Sequence, residues 1–112
     1  MTSALAEKHC APVPGGTAPL QGEALRKLAA EAPHWEVISG HELRRHFAFK
    51  DFATALQFVN AIGAIAEREQ HHPDIALGWG RVDVTTWTHS VNGLSENDFI
   101  LAAQIDGLQA AG

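Results

Sequence analysis

Cysteine is nearly absent. The 112 residues hold only Cys10, so no internal disulfide can form, and the chain suits a reducing compartment such as the cytoplasm. Cys10 follows His9, but without a second cysteine the pair reads as a tail thiol rather than half of a metal site. Basic residues are also few, eight Lys and Arg against thirteen Asp and Glu for a net charge of -5. Nucleic acid is therefore not an expected partner, because its binders carry a basic stripe that neutralises phosphates. Long apolar runs are missing: none approaches the ~18 residues of a membrane helix. Met1 to Cys10 lacks the apolar stretch of a secretory leader, so no membrane partner is expected either.

What is present suffices for one domain. Hydrophobic residues make up 46% of the chain, enough for a real core at this length. Residues 1–19 read as a flexible, poorly ordered arm, broken by Pro12, Pro14, Gly15, Gly16 and Pro19. Residues 20–112 read as the folded domain. Leu25, Leu28 and Ala29 predict a helix over about Gln21–Ala32, ended by Pro33. Trp35–Ser39 and Leu43–Phe49 alternate as strands, joined at Gly40-His41, with Arg45 the odd member of an otherwise apolar face. Asp51 is placed to cap a long helix from Phe52 to about Gln70. Its stripe is Phe52, Leu56, Val59, Ile62, Gly63 and Ala66, widened by Phe58 and Ile65. That width suits either a well-covered core helix or one that also meets a partner subunit. Ile75–Leu77 and Arg81–Thr88 form a second strand pair around Gly78-Trp79-Gly80. Ser95 to Asp98 spells a capping box for a last helix ending at Gly107 or in the tail. The order α-β-β-α-β-β-α predicts an α+β fold, a four-stranded mostly antiparallel sheet with helices packed on one face.

Histidine is the abundant chemistry. His71-His72-Pro73 closes the long helix, since proline disfavours helical backbone in the residue before it. Glu67 precedes His71 by one helical turn, and His89 ends the strand Arg81–Thr88. Two readings stand. The histidines read either as helix caps paired to a surface carboxylate or as oriented acid–base groups of the side-chain type that titrates near neutrality. A three-histidine metal centre is a further alternative, although adjacent extended residues point apart and neither HExxH nor a cysteine pair is present. His9, His34, His41 and His46 lack comparable context.

Three stretches in order, Glu67-Arg68-Glu69-Gln70-His71-His72-Pro73, Trp79 through Ser90, and Gly93-Leu94-Ser95-Glu96-Asn97-Asp98-Phe99, resemble the pterin-4a-carbinolamine dehydratase family. Trp35 and Phe47-Ala48-Phe49-Lys50-Asp51-Phe52 extend the likeness upstream, so that it runs from about Leu25 to the end. Gln70 departs from it, standing where some members carry Asp. The resemblance implies dehydration of 4a-hydroxytetrahydropterin to quinonoid dihydropterin and water, recycling the cofactor of aromatic amino-acid hydroxylases. It implies no cofactor and no metal, the tetrahydropterin being the substrate. It also implies a cytoplasmic homodimer or homotetramer functionally linked to a pterin-dependent hydroxylase. On this resemblance His71 and His89 carry protons, His72 assists and touches the pterin, and Glu67 orients His71. Thr88, Ser90, Trp35 and Asp98 are the expected substrate-binding positions, although Trp35 reads equally as a core anchor and Asp98 as a cap. Non-catalytic relatives that act as assembly or dimerisation partners are the alternative.

Overall fold

Capping and turn chemistry set the elements. The computed structural model describes residues 4–111. Helix α1 spans Gly22–Ala30, and strands β1, Glu36–Ile38, and β2, Glu42–Ala48, follow it as a hairpin. Its turn centres on Ser39 and Gly40, both at positive φ, one residue earlier than the expected Gly40-His41 turn. Helix α2 spans Phe52–Glu69, and its first turn is held by Asp51, whose carboxylate accepts the Thr54 amide at 2.9 Å. It stops because Gln70 turns left-handed (φ 54°), and the Gln70 amide closes on Ala66 O.

Strands β3, Asp74–Gly78, and β4, Arg81–Thr86, form the second hairpin, turning through Trp79-Gly80. Gly80 sits at φ +71°, and a side chain there would press on Phe49 O at 3.0 Å. That close approach lets the Phe49 amide bond Gly80 O at 2.8 Å and seats the start of α2 beside the hairpin. Helix α3 is Glu96–Ala111, running past Gly107.

The sheet order is β1-β2-β4-β3, every neighbour antiparallel, which is the expected α+β architecture. β2 therefore pairs with β4, not with the next strand in sequence, and α2 makes the crossing. Leu43, Phe47, Val82 and Val84 face the core together with Ile62 of α2 and Phe99, Leu101 and Ile105 of α3. Arg45, anomalous on a core face, is explained by its partners: its guanidinium reaches Asp106 of α3 and lies 4.4 Å over the Phe47 ring.

Two expectations need correction. The buried side of α2 is Ala55, Phe58, Ile62, Ile65, Ala66 and Glu69, while Phe52 and Leu56 stay exposed. The helix is rotated from the forecast because both flanks are apolar and periodicity could not choose between them. The expected loose arm is also built onto the helices over its described part. Leu5–Glu7 makes one 3-10 turn, Leu5 enters the core beside α3, and the Gln104 side chain donates to Lys8 O at 2.9 Å. Burial of Leu5 and side-chain capture of the arm's backbone outweigh its proline-broken sequence. Met1–Ser3 lie outside the described residues.

Candidate active site

The corner between α2 and β3, the exit of β4 and the start of α3 meet around one buried carboxylate. Asp98 is fully buried and accepts four hydrogen bonds. Its Oδ1 takes His71 Nε2 and Thr86 Oγ1, each at 2.7 Å, and its Oδ2 takes Thr88 Oγ1 at 2.7 Å and the Ser95 amide at 3.0 Å. Burial of an unpartnered carboxylate would be prohibitive, so these donors are what allow Asp98 to stand here. The Thr88 hydroxyl spends its proton on Asp98, so Ser95 Oγ donates to Thr88 across their 2.7 Å contact. One arm of the expected capping box is therefore present, the Ser95 amide on Asp98, while Ser95 Oγ is used elsewhere, and Asp98 has a second duty.

That duty fixes His71. With Asp98 accepting, Nε2 of His71 carries the hydrogen and Nδ1 is left for a ligand. The expected orienting residue was Glu67, but Glu67 pairs with His72 Nε2 instead, both side chains largely exposed. The left-handed turn at Gln70 is the reason: it swings His71 inward to Asp98 and leaves His72 on the side of Glu67.

Strand β4 ends at Thr86, two residues earlier than forecast, because the chain then loops through a 3-10 turn at His89–Val91 and returns to pair Thr88 with Gly93. Thr88 N donates to Gly93 O at 2.7 Å, and Thr88 O receives Gly93 N and Val91 N. The backbone of Thr88 is therefore fully committed, and any ligand pairing along this loop falls to His89 and Ser90. The His89 ring is exposed and stacks on Trp87 at 3.8 Å and 29°, and Trp87 in turn meets His41 at 4.5 Å.

These groups line a cleft of about 640 Å³, within the range of small-molecule sites. His71, His72, Trp87, Thr88, His89 and Ser90 form one part of its lining; Arg68, Glu69, Gln70 and Asn97 form another, and Cys10, Ala11, Pro12 and Val13 of the arm a third. Trp35 is not among them. It is buried in the core, edge-on to Phe47 at 6.2 Å, with its indole N–H on Asp106 at 2.8 Å, so its expected role as a pocket wall is corrected. The aromatic wall is Trp87. Glu67 is likewise outside the lining. Among the described residues, no three His, Cys, Asp or Glu side chains gather as a metal-binding set.

Sequence reasoning missed Glu69. It is the last residue of α2, its side chain is almost wholly buried, and it accepts Cys10 N at 2.7 Å, His9 Nδ1 at 2.8 Å, Arg68 Nε at 3.1 Å and Gln104 Nε2 at 3.3 Å. Burial opposes ionisation of Glu69, but the hydrogen bonds from Cys10, His9, Arg68 and Gln104 prevail and hold its carboxyl at about 2. No local signal separates it from the exposed Glu67 two residues earlier. Cys10 is pushed up to about 12 by burial, with the charges of Glu69 and Asp98 adding to the effect.

The family profile described as "Pterin 4 alpha carbinolamine dehydratase" matches residues 18–108. A Rubrobacter xylanophilus protein named "Putative pterin-4-alpha-carbinolamine dehydratase" is 53% identical over 95% of this chain and 99% of its own length. A Brucella melitensis crystal structure titled transcriptional coactivator/pterin dehydratase superposes with a TM-score of 0.75 at 33% identity, covering 80% of this chain and 97% of the other. A pterin dehydratase-like protein described as a RuBisCO assembly factor in the alpha-carboxysome matches at a TM-score of 0.55 and 27% identity, covering 66% of this chain and 84% of that one. With most of its length matched by the profile, the chain belongs to the pterin-4a-carbinolamine dehydratase family.

Proposed function

We propose that this protein dehydrates 4a-hydroxytetrahydropterin to quinonoid dihydropterin and water by histidine acid–base catalysis. The observation that carries the reading is the buried Asp98 behind His71, in a cleft that His72 and His89 share. The C4a–O bond breaks as the hydroxyl gains a proton and leaves as water. The neighbouring ring nitrogen gives up its proton, and its electron pair forms the new C=N bond. No electrons enter or leave, so one proton donor and one acceptor are sufficient, each positioned group contributing ~10²–10⁴-fold. His71 can exchange a proton at Nδ1 while Asp98 supports the imidazolium through Nε2. His89, steadied on Trp87, is the complementary proton carrier. His72, tethered by Glu67 at the rim, contacts the pterin. In this reading the amides of His89 and Ser90, both residues of the cleft lining, meet the pterin's hydrogen-bonding edge.

In the cell this activity would recycle the cofactor of an aromatic amino-acid hydroxylase in the cytoplasm. The exposed Phe52, Leu56 and Trp79 favour a homo-oligomer. The test is a coupled assay in which the protein is added to a pterin-dependent phenylalanine hydroxylase and carbinolamine decay is followed by absorbance. Decay faster than the spontaneous rate supports the reading, and an unchanged rate sinks it. The likeness to the assembly factor suggests a non-catalytic partner as the second reading. The complete His71, Asp98 and His89 set favours the enzyme.

A further inference from the structure

The arm lies ahead of the span that the family profile matches, yet Cys10–Val13 line the same cleft as His71 and His89. It is held there by two clamps. Glu69, buried and two residues before His71, receives the Cys10 amide at 2.7 Å and the His9 ring at 2.8 Å. Asn97, directly preceding Asp98, pairs with the Ala11 backbone as a strand would: Ala11 N donates to its Oδ1 at 3.1 Å, and its Nδ2 donates to Ala11 O at 2.7 Å. The clamps thus adjoin the two residues that hold the proton relay, and arm and relay share one frame.

We propose that Cys10–Val13 is a fixed wall of the pterin site, with Glu69 and Asn97 as the positioning residues that hold it. This rests on the dehydratase reading of the cleft. A wall anchored through its backbone meets the substrate already ordered, so its contacts favour binding without an ordering cost at that moment. Its effect falls on substrate binding, and the proton transfers belong to the histidines across the cleft.

Three measurements on the full chain test this. Glu69→Ala, which removes both acceptors, raises KM about tenfold while kcat changes less than about threefold. Hydrogen exchange at the Ala11 amide, whose own acceptor Asn97 is untouched, quickens about tenfold in the same variant, because the arm opens locally. In the wild type, saturating 7,8-dihydrobiopterin slows Cys10 alkylation about fivefold or more, since ligand and arm share the cleft. Should Glu69→Ala fail to fold, Val13→Trp leaves both clamps intact and puts an indole into the cleft, raising KM about fivefold or more. A wild-type KM in Val13→Trp, or no protection of Cys10 in active enzyme, overturns the wall while the dehydratase reading stands. A wild-type protein that fails to speed carbinolamine decay overturns both.

Discussion

His71 and Asp98 are 27 positions apart in the chain and 2.7 Å apart in the fold, imidazole Nε2 to carboxylate Oδ1. The pair joins the end of α2 to the start of α3. It decides which ring nitrogen of His71 faces the cleft, and it does so with a group that also caps α3.

Asp98→Asn keeps the size of the side chain but replaces one acceptor with a donor. Thr86, Thr88 and the Ser95 amide all need acceptors there, so the variant loses about 1–3 kcal/mol of stability. Its dehydration rate falls about 10²-fold, because His71 loses both its tautomer control and the support of its cation. Thr86→Val is the comparison: it costs about 1–2 kcal/mol and leaves the His71 contact in place. Thermal melts and kcat on both variants check this, and equal activity losses in the two would contradict it.

His71→Ala and His89→Ala each lower turnover about 10²-fold or more with folding intact. His72→Ala and Glu67→Gln lower it less, by about tenfold or under, since that pair is a solvent-screened contact at the rim. Steady-state kinetics on the four purified variants rank them. A loss in Glu67→Gln as large as that in His71→Ala would restore Glu67 to the centre of the mechanism.

Trp87→Leu removes the ring on which His89 lies at 3.8 Å. The imidazole then samples other rotamers, and kcat/KM falls about tenfold, as expected when a reacting group loses its orientation. Circular dichroism of the variant matches the wild type, because Trp87 is only half-buried at the cleft. Unaltered kcat/KM would show that stacking does not orient His89.

Glu69 gives the protein an acid-sensitive joint. Its carboxyl titrates at about 2 in the fold against an ordinary 4.5, so it binds a proton more readily when unfolded. The stability it contributes is complete above about pH 4.5 and is lost as pH falls toward about 2. His9 and Arg68 are themselves exposed, and screening by water limits the contribution to about 1–2 kcal/mol. Glu69→Gln removes this component, so the difference in Tm between wild type and variant shrinks between pH 6 and pH 3. Two parallel Tm–pH curves would show that the carboxylate charge does not hold the arm.

Much of this was legible in the sequence. The element order, the Asp51 cap and the link from Asp98 back to the Ser95 amide follow from local rules acting over a few residues. The histidines, too, declared themselves through Pro73 and the strand before His89. The partner of His71 was not legible: helical spacing pointed to Glu67, one turn away, while the left-handed turn at Gln70 sent the ring to Asp98. Which flank of α2 is buried was also undecided, because Phe52 and Leu56 are as apolar as Phe58 and Ile65.

The sequence by itself determined the order of helices and strands and the Asp51 start of α2, since those depend on neighbours within a turn or a hairpin, while the end of β4 was set by the loop that returns Thr88 to Gly93. The sequence also determined which residues could carry protons. Tertiary structure decided which carboxylate serves which histidine, which aromatic ring borders the cleft, and that an arm broken by prolines is captured by Glu69 and Asn97. Those outcomes depend on contacts between residues 10 and 69 or 71 and 98, and such pairs meet only after the sheet has brought α2 beside α3.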